Sequence, residues 1–439
     1  LIFAKNGIYL YYIVAVDMTF RLEVPPLRFV AVSRCKGKTM YITKTRKQKR
    51  TQHLDNLARE SGRCYSKVVS LVRKTHTKKG FWIPKGGVQK YMRHREYNLH
   101  SQTVQACVDS YFDSLDSYFE ARKSNPDARP PKRTPRHFKV RWKSGAIRIK
   151  DRQLILSNGL GREPVILDGI TEKPNYIEMY FKRGHYYFAL VYKVDTLPKS
   201  ETGIIVAIDM GEIHPIVSFD GDRATLYNGR FLRSLVRYRN KFKAQIQRAM
   251  DTCKKRSRKW YRLLKVKRRT LEKLAAQIKD AEHKITSRFI SDCQRAKADT
   301  IVIGDIKGIR NTAKFSKKSN QKIHQWAFSR IQQKICYKAA LVGIKVVFES
   351  EAYTSQTCPH CGHRKKPANR NYHCKKCGFK YHRDGVGAIN LYNKVSGVLN
   401  TPVSRDIGNP LSVRFNWHLS SLGLTPRNLA ISKERIFAL

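Results

Sequence analysis

The sequence predicts a mixed α/β protein in which helices interrupt a β-rich N-terminal part and an α/β part with a cysteine-rich insertion follows. Three observations support this fold class. Short stretches of alternating apolar and polar residues, typical of strands, occur before about residue 45 and again between about residues 146 and 194. Between these stretches, apolar residues recur at helical spacing from about residue 52 to residue 122. Further on, four cysteines lie within 20 residues, in two Cys-x-x-Cys pairs.

Composition indicates a globular protein with a polyanionic partner. The chain has 439 residues, enough for two or three domains, and 41% of them are hydrophobic, which excludes broad disorder. Lysine and arginine number 88 against 33 acidic residues, which gives a net charge of +55. A charge of this size repels itself, and nucleic acid is the natural polyanion to compensate it. A solvated basic surface, as in a ribosome-like protein, is the alternative.

The remaining cysteines and the N-terminal residues indicate the cellular compartment in which we expect the protein. Six scattered cysteines are typical of reduced thiols in an intracellular protein: Cys35, Cys64, Cys107, Cys253, Cys293 and Cys336. Residues 8–16 are apolar but too few to span a membrane, and no other stretch is apolar enough, so we expect no membrane partner. We interpret residues 1–17 as a non-native upstream segment and expect the native start at Met18.

The N-terminal half is predicted to be a β domain with a helical insert. Strands are expected within residues 18–50 and 127–197, and the helical stretch occupies residues 51–126. The prolines in "NPDARPPKRTPR", residues 125–136, end the helical stretch. A hairpin turn is expected at Lys182, Arg183 and Gly184.

The second part follows a linker at residues 195–203. An apolar strand ends at Asp209, and strands at residues 213–219 and up to Tyr227 complete an antiparallel meander. The later elements are, in order, one or two basic helices over 231–297, a strand at 300–305, a helix at about 325–341 and a strand at 344–350. This order, with an aspartate on the first strand, is that of a ribonuclease H-like fold, which we predict for residues 198–395.

The cysteine pairs have the spacing of a zinc site, and the four sulfurs belong to Cys358, Cys361, Cys374 and Cys377. Each pair is followed by a glycine, Gly362 or Gly378, which permits the tight turn that points backbone amides at the sulfurs. Four thiolates close a tetrahedral site, so the predicted zinc is structural. Four free cysteines in a loop are the alternative. Three nearby histidines are not needed as ligands: His360, His363 and His373.

Asp384 follows the cysteine pairs directly and begins an apolar helical run. A carboxylate at this place could simply be a helix cap. Its position after the zinc site, together with the upstream strand aspartate Asp209, favours metal binding by both residues.

Four stretches of this sequence resemble the TnpB family of transposon-encoded RNA-guided nucleases. They are "AIDMG" (207–211), "YTSQTCPHCG" (353–362), "YHCKKCG" (372–378) and "HRDGVGAINL" (382–391). The resemblance covers roughly residues 20–395. The eukaryotic Fanzor proteins and the type V CRISPR effectors are relatives of this family.

The resemblance implies an identity for each predicted part. Residues 18–50 and 127–197 would form a wedge-type β-barrel, interrupted by a helical recognition domain at 51–126. Residues 198–395 would form a RuvC-like nuclease domain with an inserted zinc ribbon at 354–380. Residues 396–439 would form a C-terminal tail without a further acidic motif, and we expect residues from about 398 onward to be dispensable for cleavage.

The resemblance also implies cofactors and partners. We expect a guide RNA of the omega type, double-stranded target DNA beside a short flanking motif, two catalytic Mg²⁺ ions and one structural Zn²⁺ ion. We expect the protein to be a monomer. Its expected location is intracellular, in the cytoplasm or nucleoid of a prokaryote or in the nucleus if it is of the Fanzor type.

The family's three acidic metal ligands can be compared with this sequence one at a time. The first matches Asp209 and the last matches Asp384. The middle ligand is usually a glutamate that ends the strand at 300–305, but this chain has Gly304 there, and the side chain of the following Asp305 points to the opposite face. Glu351, beyond the end of the next strand, is the predicted replacement.

Two alternatives to Glu351 stay open. Glu349 has the same strand parity but lies one pleat further from the strand end. It is also possible that nothing replaces the missing glutamate.

The resemblance therefore implies an RNA-guided DNA endonuclease that hydrolyses phosphodiester bonds by a two-metal RuvC mechanism, with Asp209, Glu351 and Asp384 as catalytic and Mg²⁺-binding residues. A nuclease-dead, RNA-guided DNA-binding repressor is the alternative, which the glycine at 304 would suggest. A transposase that itself moves DNA is a third option. The sequence shows no recognisable strand-transfer domain, which argues against this option.

Overall fold

The computed structural model describes residues 28–31, 39–94, 96–134, 137–195, 197, 201–305, 316, 320–321, 326, 328–367, 369–396 and 408–415. The chain forms two compact units. Unit 1 comprises residues 1–34 and 41–193, and unit 2 comprises residues 35–40 and 194–439. Residues 1–17, the expected start at Met18 and Cys35 lie outside the described residues. None of the described helices has the length and apolar character needed to cross a membrane.

The described residues of unit 1 form two β-sheets. One has five strands in the order β1-β2-β8-β7-β3: β1 (Arg28–Ala31), β2 (Thr39–Gln48), β3 (Val140–Lys143), β7 (Tyr176–Lys182) and β8 (His185–Asp195). The other is antiparallel and has the order β4-β5-β6: β4 (Ile147–Lys150), β5 (Gln153–Leu156) and β6 (Val165–Asp168). The predicted hairpin turn between β7 and β8 is confirmed, with Arg183 at φ 53° and Gly184 at φ 82°. The barrel that the resemblance implies stays a prediction.

The helical insert of unit 1 consists of three helices. They are α1 (Gln52–Lys79), α2 (Lys85–Arg93) and α3 (Ser101–Ser124). Helix α1 begins where the side chain of Thr51 accepts a hydrogen bond from the backbone N–H of Leu54, and it ends at Gly80, which has a left-handed φ of 70°. Helices and strands share one core, in which Trp142 is fully buried.

Unit 2 is built on a six-stranded sheet in the order β13-β12-β9-β10-β11-β16. Five of its strands are β9 (Ile205–Asp209), β10 (Ile216–Phe219), β11 (Ala224–Tyr227), β12 (Thr300–Asp305) and β13 (Lys345–Ser350). Strands β9, β10 and β11 form the predicted antiparallel meander, whereas β12 is parallel to both β9 and β13. The carboxyl ends of β9, β12 and β13 therefore lie at the same edge of the sheet.

The second strand of the meander starts later than predicted. The sequence predicts it from residue 213, but β10 begins at Ile216. Pro215 has no N–H to donate to a neighbouring strand, and the residues before it form a turn in which the N–H of Gly211 donates to the carbonyl of His214 at 2.9 Å. This turn brings His214 close to the end of β9.

Four helices and a small hairpin complete the described part of unit 2. The helices are α4 (Arg230–Asp251), α5 (Arg258–Arg295), α6 (Phe328–Leu341) and α7 (Arg383–Val395), and the hairpin consists of β14 (Asn371–His373) and β15 (Lys380–His382). The basic stretch 231–297 thus forms two helices, because Ser257 caps a new one by accepting a hydrogen bond from the N–H of Trp260. Strand β15 leads directly into α7.

The C-terminal segment contains a strand that the sequence analysis did not predict. Residues 411–413 form β16 (Leu411–Val413), which lies parallel to β11 at the edge of the sheet. The carbonyl of Val413 accepts a hydrogen bond from the N–H of Asn228, and Phe415 packs against the core of unit 2. The predicted tail boundary at 395/396 is therefore wrong for residues 408–415, because these residues complete the sheet.

Candidate functional site

Asp209 is the last residue of β9 and lies against the first turns of α7. A Cβ atom added at Gly387 would be 2.5 Å from Oδ2 of Asp209. Only glycine at this position allows the helix backbone to approach the carboxylate so closely. The glycine-rich start of α7 therefore positions the helix on the carboxyl end of the central strand.

Asp384 lies in the first turn of α7, where a negative charge also interacts favourably with the helix dipole. Its side chain is buried, and one oxygen, Oδ2, has two partners. Nδ1 of His214 is 3.1 Å from it and Nη1 of Arg370 is 2.9 Å from it. Asp209 and Asp384 are thus held by one strand and one helix that pack together.

Glu351 follows the end of β13 and folds back over the neighbouring strand. In the register of β12 and β13, Gly304 pairs with Glu349. A Cβ atom at residue 304 would overlap Oε1 and Cγ of Glu351. The space beside Gly304, on the strand from which the family's usual ligand is missing, is therefore filled by the side chain of Glu351.

The loop after Glu351 is fixed by hydrogen bonds. Thr354 donates to the carbonyl of Glu351 through its N–H at 3.2 Å and its Oγ1 at 3.0 Å. From helix α7, Nδ2 of Asn390 donates to the carbonyls of Thr354 and Thr357 at 2.6 and 2.8 Å. The helix that carries Asp384 thus also anchors the loop that carries Glu351.

Burial and, second to it, repulsion between carboxylates raise the pKa of two of the three acidic groups. Burial, followed by the charges of Asp209 and Asp305, raises the pKa of Glu351 to about 8. Burial and the charge of Asp384 raise the pKa of Asp209 to about 7, although the backbone N–H of Met210 and the charge of Arg383 act against this. Acidic groups that lie close together and are poorly hydrated disfavour each other's ionisation.

Asp384 differs from the other two carboxyl groups. Its burial acts to raise its pKa, but the hydrogen bond from His214 and the charge of Arg370 outweigh burial and lower the pKa. Burial, as the largest cause, lowers the pKa of His382, the residue at the end of β15.

The donor set fits hard divalent cations. Asp209, Glu351 and Asp384 offer carboxylate oxygens, the ligands that Mg²⁺ prefers. Within the described part of the chain, Oε1 of Glu351 is buried without a hydrogen-bond partner. A cation between these groups would remove both the repulsion and the unsatisfied acceptor.

The four predicted cysteines meet at a second site. Their sulfur atoms all lie within 4.8 Å of one another, with Sγ of Cys358 3.6 Å from that of Cys377 and Sγ of Cys361 3.5 Å from that of Cys374. A tetrahedral zinc with Zn–S bonds of about 2.3 Å has S···S edges of about 3.8 Å, so the group fits zinc.

The two cysteine turns share one backbone pattern. The N–H of Gly362 donates to the carbonyl of Cys358, and the N–H of Gly378 donates to that of Cys374, both at 2.9 Å. Both glycines have the positive φ that the spacing predicts, 70° and 77°. Burial acts to raise the pKa of Cys374, but backbone amides from residues 377 and 376 lower it to about 7. Such a thiolate binds metal readily.

The structure thus brings Asp209, Glu351 and Asp384 to one end of the sheet, and their role as ligands stays a prediction. Glu349, the rival of Glu351, is partly exposed on β13. Three neighbours of Asp384 were missed by the sequence analysis: His214, Arg370 and His382. Each of the two histidines lies within five positions of a predicted metal ligand in the sequence. This proximity is the sequence feature that could have identified them. Nothing local distinguishes Arg370 from the other basic residues between the cysteine pairs.

Two family models match the chain. One, described as a probable transposase, matches residues 189–310, and the other, described as a Cas12f1-like TNB domain, matches residues 328–391. Both matched segments lie in or next to unit 2, and the second contains the four cysteines and Asp384.

Individual proteins match parts of the chain. A TnpB-like protein of Methanocaldococcus jannaschii is 32% identical over 28% of this chain and 44% of its own length. The CRISPR-associated endodeoxyribonuclease Cas12f1 of Sulfoacidibacillus thermotolerans is 30% identical over 26% of this chain and 27% of its own length. The chain therefore spans less than half the length of these two relatives. Another protein of M. jannaschii, named as a transposase, is 32% identical over 16% of this chain and 72% of its own length.

A solved structure shares the fold. The cryo-EM structure of a Cas12f1–sgRNA–target DNA complex covers 78% of this chain and 83% of its own, with a TM-score of 0.51 and 14% identity. At this identity the likeness concerns the fold alone. The predicted mixed α/β fold class is thereby confirmed.

Proposed function

Because the chain belongs to the TnpB family, we propose that it is an RNA-guided endonuclease that hydrolyses DNA phosphodiester bonds. A transposon-derived guide RNA directs it to a target beside a short flanking motif. The names of its relatives support this proposal, since they include TnpB-like proteins and endodeoxyribonucleases.

One observation carries the proposal of an active nuclease. The side chain of Glu351 lies over Gly304 and forms a buried acidic pair with Asp209, in which burial and a neighbouring carboxylate raise the pKa of both groups. Buried carboxyl groups that repel each other destabilise the fold unless a cation compensates them, which favours metal binding over a purely structural role. Glu351 is therefore the third acidic ligand in place of a glutamate at 304.

The three carboxylates would hold two Mg²⁺ ions, which activate a water molecule and stabilise the leaving 3′ oxygen when bound. Asp209 and Glu351 approach from the carboxyl ends of β9 and β13, the two strands on either side of β12, and Asp384 approaches from the helix packed on the sheet. Thr354 holds the backbone carbonyl of Glu351, and Asn390 holds the loop that follows, which limits the reorganisation that metal binding would need. Arg370, whose side chain is partly exposed, is available for a phosphate once it leaves Asp384.

The remaining architecture is consistent with a RuvC-like domain of the ribonuclease H type. Its sheet order, with an antiparallel meander followed by two parallel strands, supports this assignment. The cysteine group supports a structural zinc ribbon at residues 354–380, which continues through β15 into α7 and so positions Asp384. The ribbon's zinc would thus be required for the geometry of the nuclease site.

The nucleic-acid partners follow from charge. A net charge of +55 would be compensated by a guide RNA, an RNA–DNA heteroduplex and displaced strands. Helices α4 and α5 carry many exposed lysines and arginines, whose regular spacing suits contacts with a phosphate backbone.

A repressor that binds DNA through a guide RNA without cutting it is the second candidate. Two observations favour it: position 304 lacks a carboxylate, and Arg370 neutralises Asp384. In that case, the acidic residues would be remnants that no longer bind metal.

A cleavage assay distinguishes the two functions. The protein is co-expressed with the RNA of its own locus, purified, and incubated with plasmid DNA in Mg²⁺ or in EDTA. We expect Mg²⁺-dependent cutting that Asp209→Asn abolishes while RNA-directed DNA binding persists. Binding without cutting in the wild type would select the repressor, and no RNA-directed binding at all would contradict both.

A further inference from the structure

A group of two histidines and one aspartate lies at one corner of the proposed nuclease site. One ring nitrogen of His214, one of His382 and one carboxylate oxygen of Asp384 all lie within 4.8 Å of one another. His214 is 8% exposed and Asp384 is 7% exposed. We call these three residues the His–His–Asp group.

Three separate elements bring the group together. His214 comes from the turn after β9, which the hydrogen bond from Gly211 closes. His382 is the last residue of β15, and Asp384 lies in the first turn of α7. The two imidazole rings face each other edge to face, with centroids 5.3 Å apart.

The second histidine has a polar atom that the protein leaves unsatisfied. Nδ1 of His382 is buried and has no hydrogen-bond partner among the residues that the structure describes. A buried polar atom without a partner costs about 1–3 kcal/mol. The ring of His382 packs against that of His214, and this contact leaves the nitrogen without a polar partner.

The geometry is close to that of a bound ion. Two donors that are each about 2.1 Å from one ion lie at most about 4.2 Å apart. Donors at adjacent octahedral positions lie about 3.0 Å apart, which the 3.1 Å between Nδ1 of His214 and Oδ2 of Asp384 already matches, so His382 would need to approach by at most about 2 Å.

Two arginines place positive charge beside the carboxylate of Asp384. Nη1 of Arg370 is 2.9 Å from Oδ2 of Asp384, and Nε of Arg383 is 3.6 Å from Oδ1. The side chain of Arg370 is 42% exposed, so it can turn into solvent without leaving a buried charge behind. A cation would take the place of the Arg370 guanidinium on Asp384.

We propose that the His–His–Asp group binds a divalent transition-metal ion, such as Mn²⁺, in preference to Mg²⁺. Imidazole nitrogens suit transition metals, whereas Mg²⁺ takes oxygen ligands almost exclusively. The proposal depends on the proposed function only where it gives the His–His–Asp group a role in a nuclease. Metal binding can be measured without cleavage, so the failure of one is distinguishable from the failure of the other.

Pulsed EPR on Mn²⁺ provides a direct test. The full chain is purified with zinc in its cysteine site, and one equivalent of Mn²⁺ is added in the absence of nucleic acid. Electron spin echo modulation reports ¹⁴N nuclei bound to Mn²⁺. We expect histidine ¹⁴N modulation in the wild type, a weaker signal in His214→Ala and in His382→Ala, and an unchanged signal in His363→Ala, whose exposed side chain lies in the cysteine loops.

Competition with Mg²⁺ gives the second measurement. Each of the two histidine variants should lower the affinity for Mn²⁺ at least about tenfold while changing that for Mg²⁺ little. Zinc content and circular dichroism show whether a variant has kept its fold, and either histidine variant suffices if the other misfolds. No ¹⁴N modulation in the wild type, or modulation that both variants leave unchanged, would overturn the proposal whether or not the protein cuts DNA.

Discussion

Glu351 and Gly304 form a pair in which one residue supplies the side chain and the other supplies the space. The side chain comes from beyond the end of β13 and occupies the position that a Cβ at 304 would take on β12. Parallel pairing of these strands places Glu349, not Glu351, directly opposite Gly304. The loop conformation after Ser350 therefore determines which of the two glutamates reaches the other acidic residues.

The first prediction concerns these two glutamates. We expect Glu351→Gln to lower the rate of DNA cleavage by about 10²–10³-fold, the loss typical of removing one electrostatic group from an active site. RNA and DNA binding should persist, because the change removes a charge and little volume. The cleavage rate of the guide-RNA complex under single-turnover conditions measures the effect.

Glu349→Gln is the matched control, since it makes the same change two residues earlier on the same strand. We expect only a mild effect from it. Full activity of Glu351→Gln would show that the third ligand lies elsewhere, and a severe loss in Glu349→Gln alone would assign the role to that residue.

The second prediction uses the space at position 304. Gly304→Ala should displace Glu351, because the added Cβ would overlap its carboxyl group. We expect a loss of cleavage similar to that of Glu351→Gln, although no acidic residue is changed. The same single-turnover assay measures it.

A double substitution distinguishes displacement of Glu351 from a general disruption of β12. Gly304→Glu combined with Glu351→Ala moves the carboxylate to the neighbouring strand and removes the side chain with which it would collide. We expect partial recovery relative to Glu351→Ala, because metal ligation tolerates errors of only about 0.5 Å. Wild-type activity of Gly304→Ala would contradict the close packing of the two residues.

At the level of elements, α5 and α6 are joined by a buried ion pair. Glu282 on α5 is 1% exposed and accepts hydrogen bonds from Nε of Arg330 at 2.9 Å and Nζ of Lys334 at 2.8 Å, both on α6. The six-stranded sheet of unit 2 packs against these helices. Loss of this pair would loosen the helical layer that supports β9 and β12.

The third prediction is that Glu282→Gln destabilises unit 2 by about 3–5 kcal/mol, because it leaves the ammonium group of Lys334 buried without its counter-charge. Hydrogen exchange of the α5 amides reports the stability of this unit separately. Asp280→Asn on the same helix is the control, since its pair with Lys284 is half exposed and should contribute about 0.2–1 kcal/mol. Equal effects of the two substitutions would contradict the importance of burial.

The strand β16 leads to the fourth prediction. From the sequence alone, residues from about 398 onward are expected to be dispensable for cleavage. The structure changes this expectation, since β16 pairs with β11 and the carbonyl of Gly408 accepts a hydrogen bond from the hydroxyl of Tyr381 at 3.3 Å. We expect truncation after Ser396 to destabilise unit 2 by roughly 1 kcal/mol for each hydrogen bond that it removes and to reduce cleavage.

Truncation after Phe415 is the comparison for this prediction. It retains β16 and should leave thermal stability and the cleavage rate unchanged. Equal activity of both truncated proteins would show that the sixth strand is unnecessary for the nuclease site.

For the whole molecule, charge is the property that governs partners. The excess of 55 positive charges is spread over the chain, and α5 presents a stripe of exposed basic residues at helical spacing: Arg262, Lys265 and Arg269. Residues three and four apart lie on one face of a helix, so these three side chains can follow a phosphate backbone together.

The fifth prediction is that affinity for the guide RNA falls steeply with salt. If the protein neutralises about 6–10 phosphates, binding should weaken by about 10³–10⁵ between roughly 50 and 200 mM salt. Replacing Arg262, Lys265 and Arg269 by alanine should reduce the slope of log K against log salt by about 0.7–0.9 for each phosphate that is no longer neutralised. Filter binding over a salt series measures both effects, and binding insensitive to salt would contradict the electrostatic argument.

Local sequence patterns were sufficient to predict much of the fold of this protein and part of its candidate site. The order of strands and helices, the turn at Arg183 and Gly184, the two cysteine turns and the membership of the TnpB family follow from residues that are close together in the chain. Hydrophobic period, turn residues and ligand spacing act over a few positions, so the sequence displays them directly. The placement of Asp384 beside the cysteine turns belongs to this group too.

The other features of the fold and of the candidate site depend on packing between segments that are distant in the sequence. The fit of Glu351 onto Gly304, the addition of β16 to the sheet and the meeting of His214 with His382 join residues that lie between 47 and 186 positions apart. Each depends on strand register and on a loop conformation, and a shift of one residue in a strand turns its side chains to the opposite face. Such contacts have no local pattern in the sequence, because their free energy arises only when the folded sheet and helix α7 hold both partners in place.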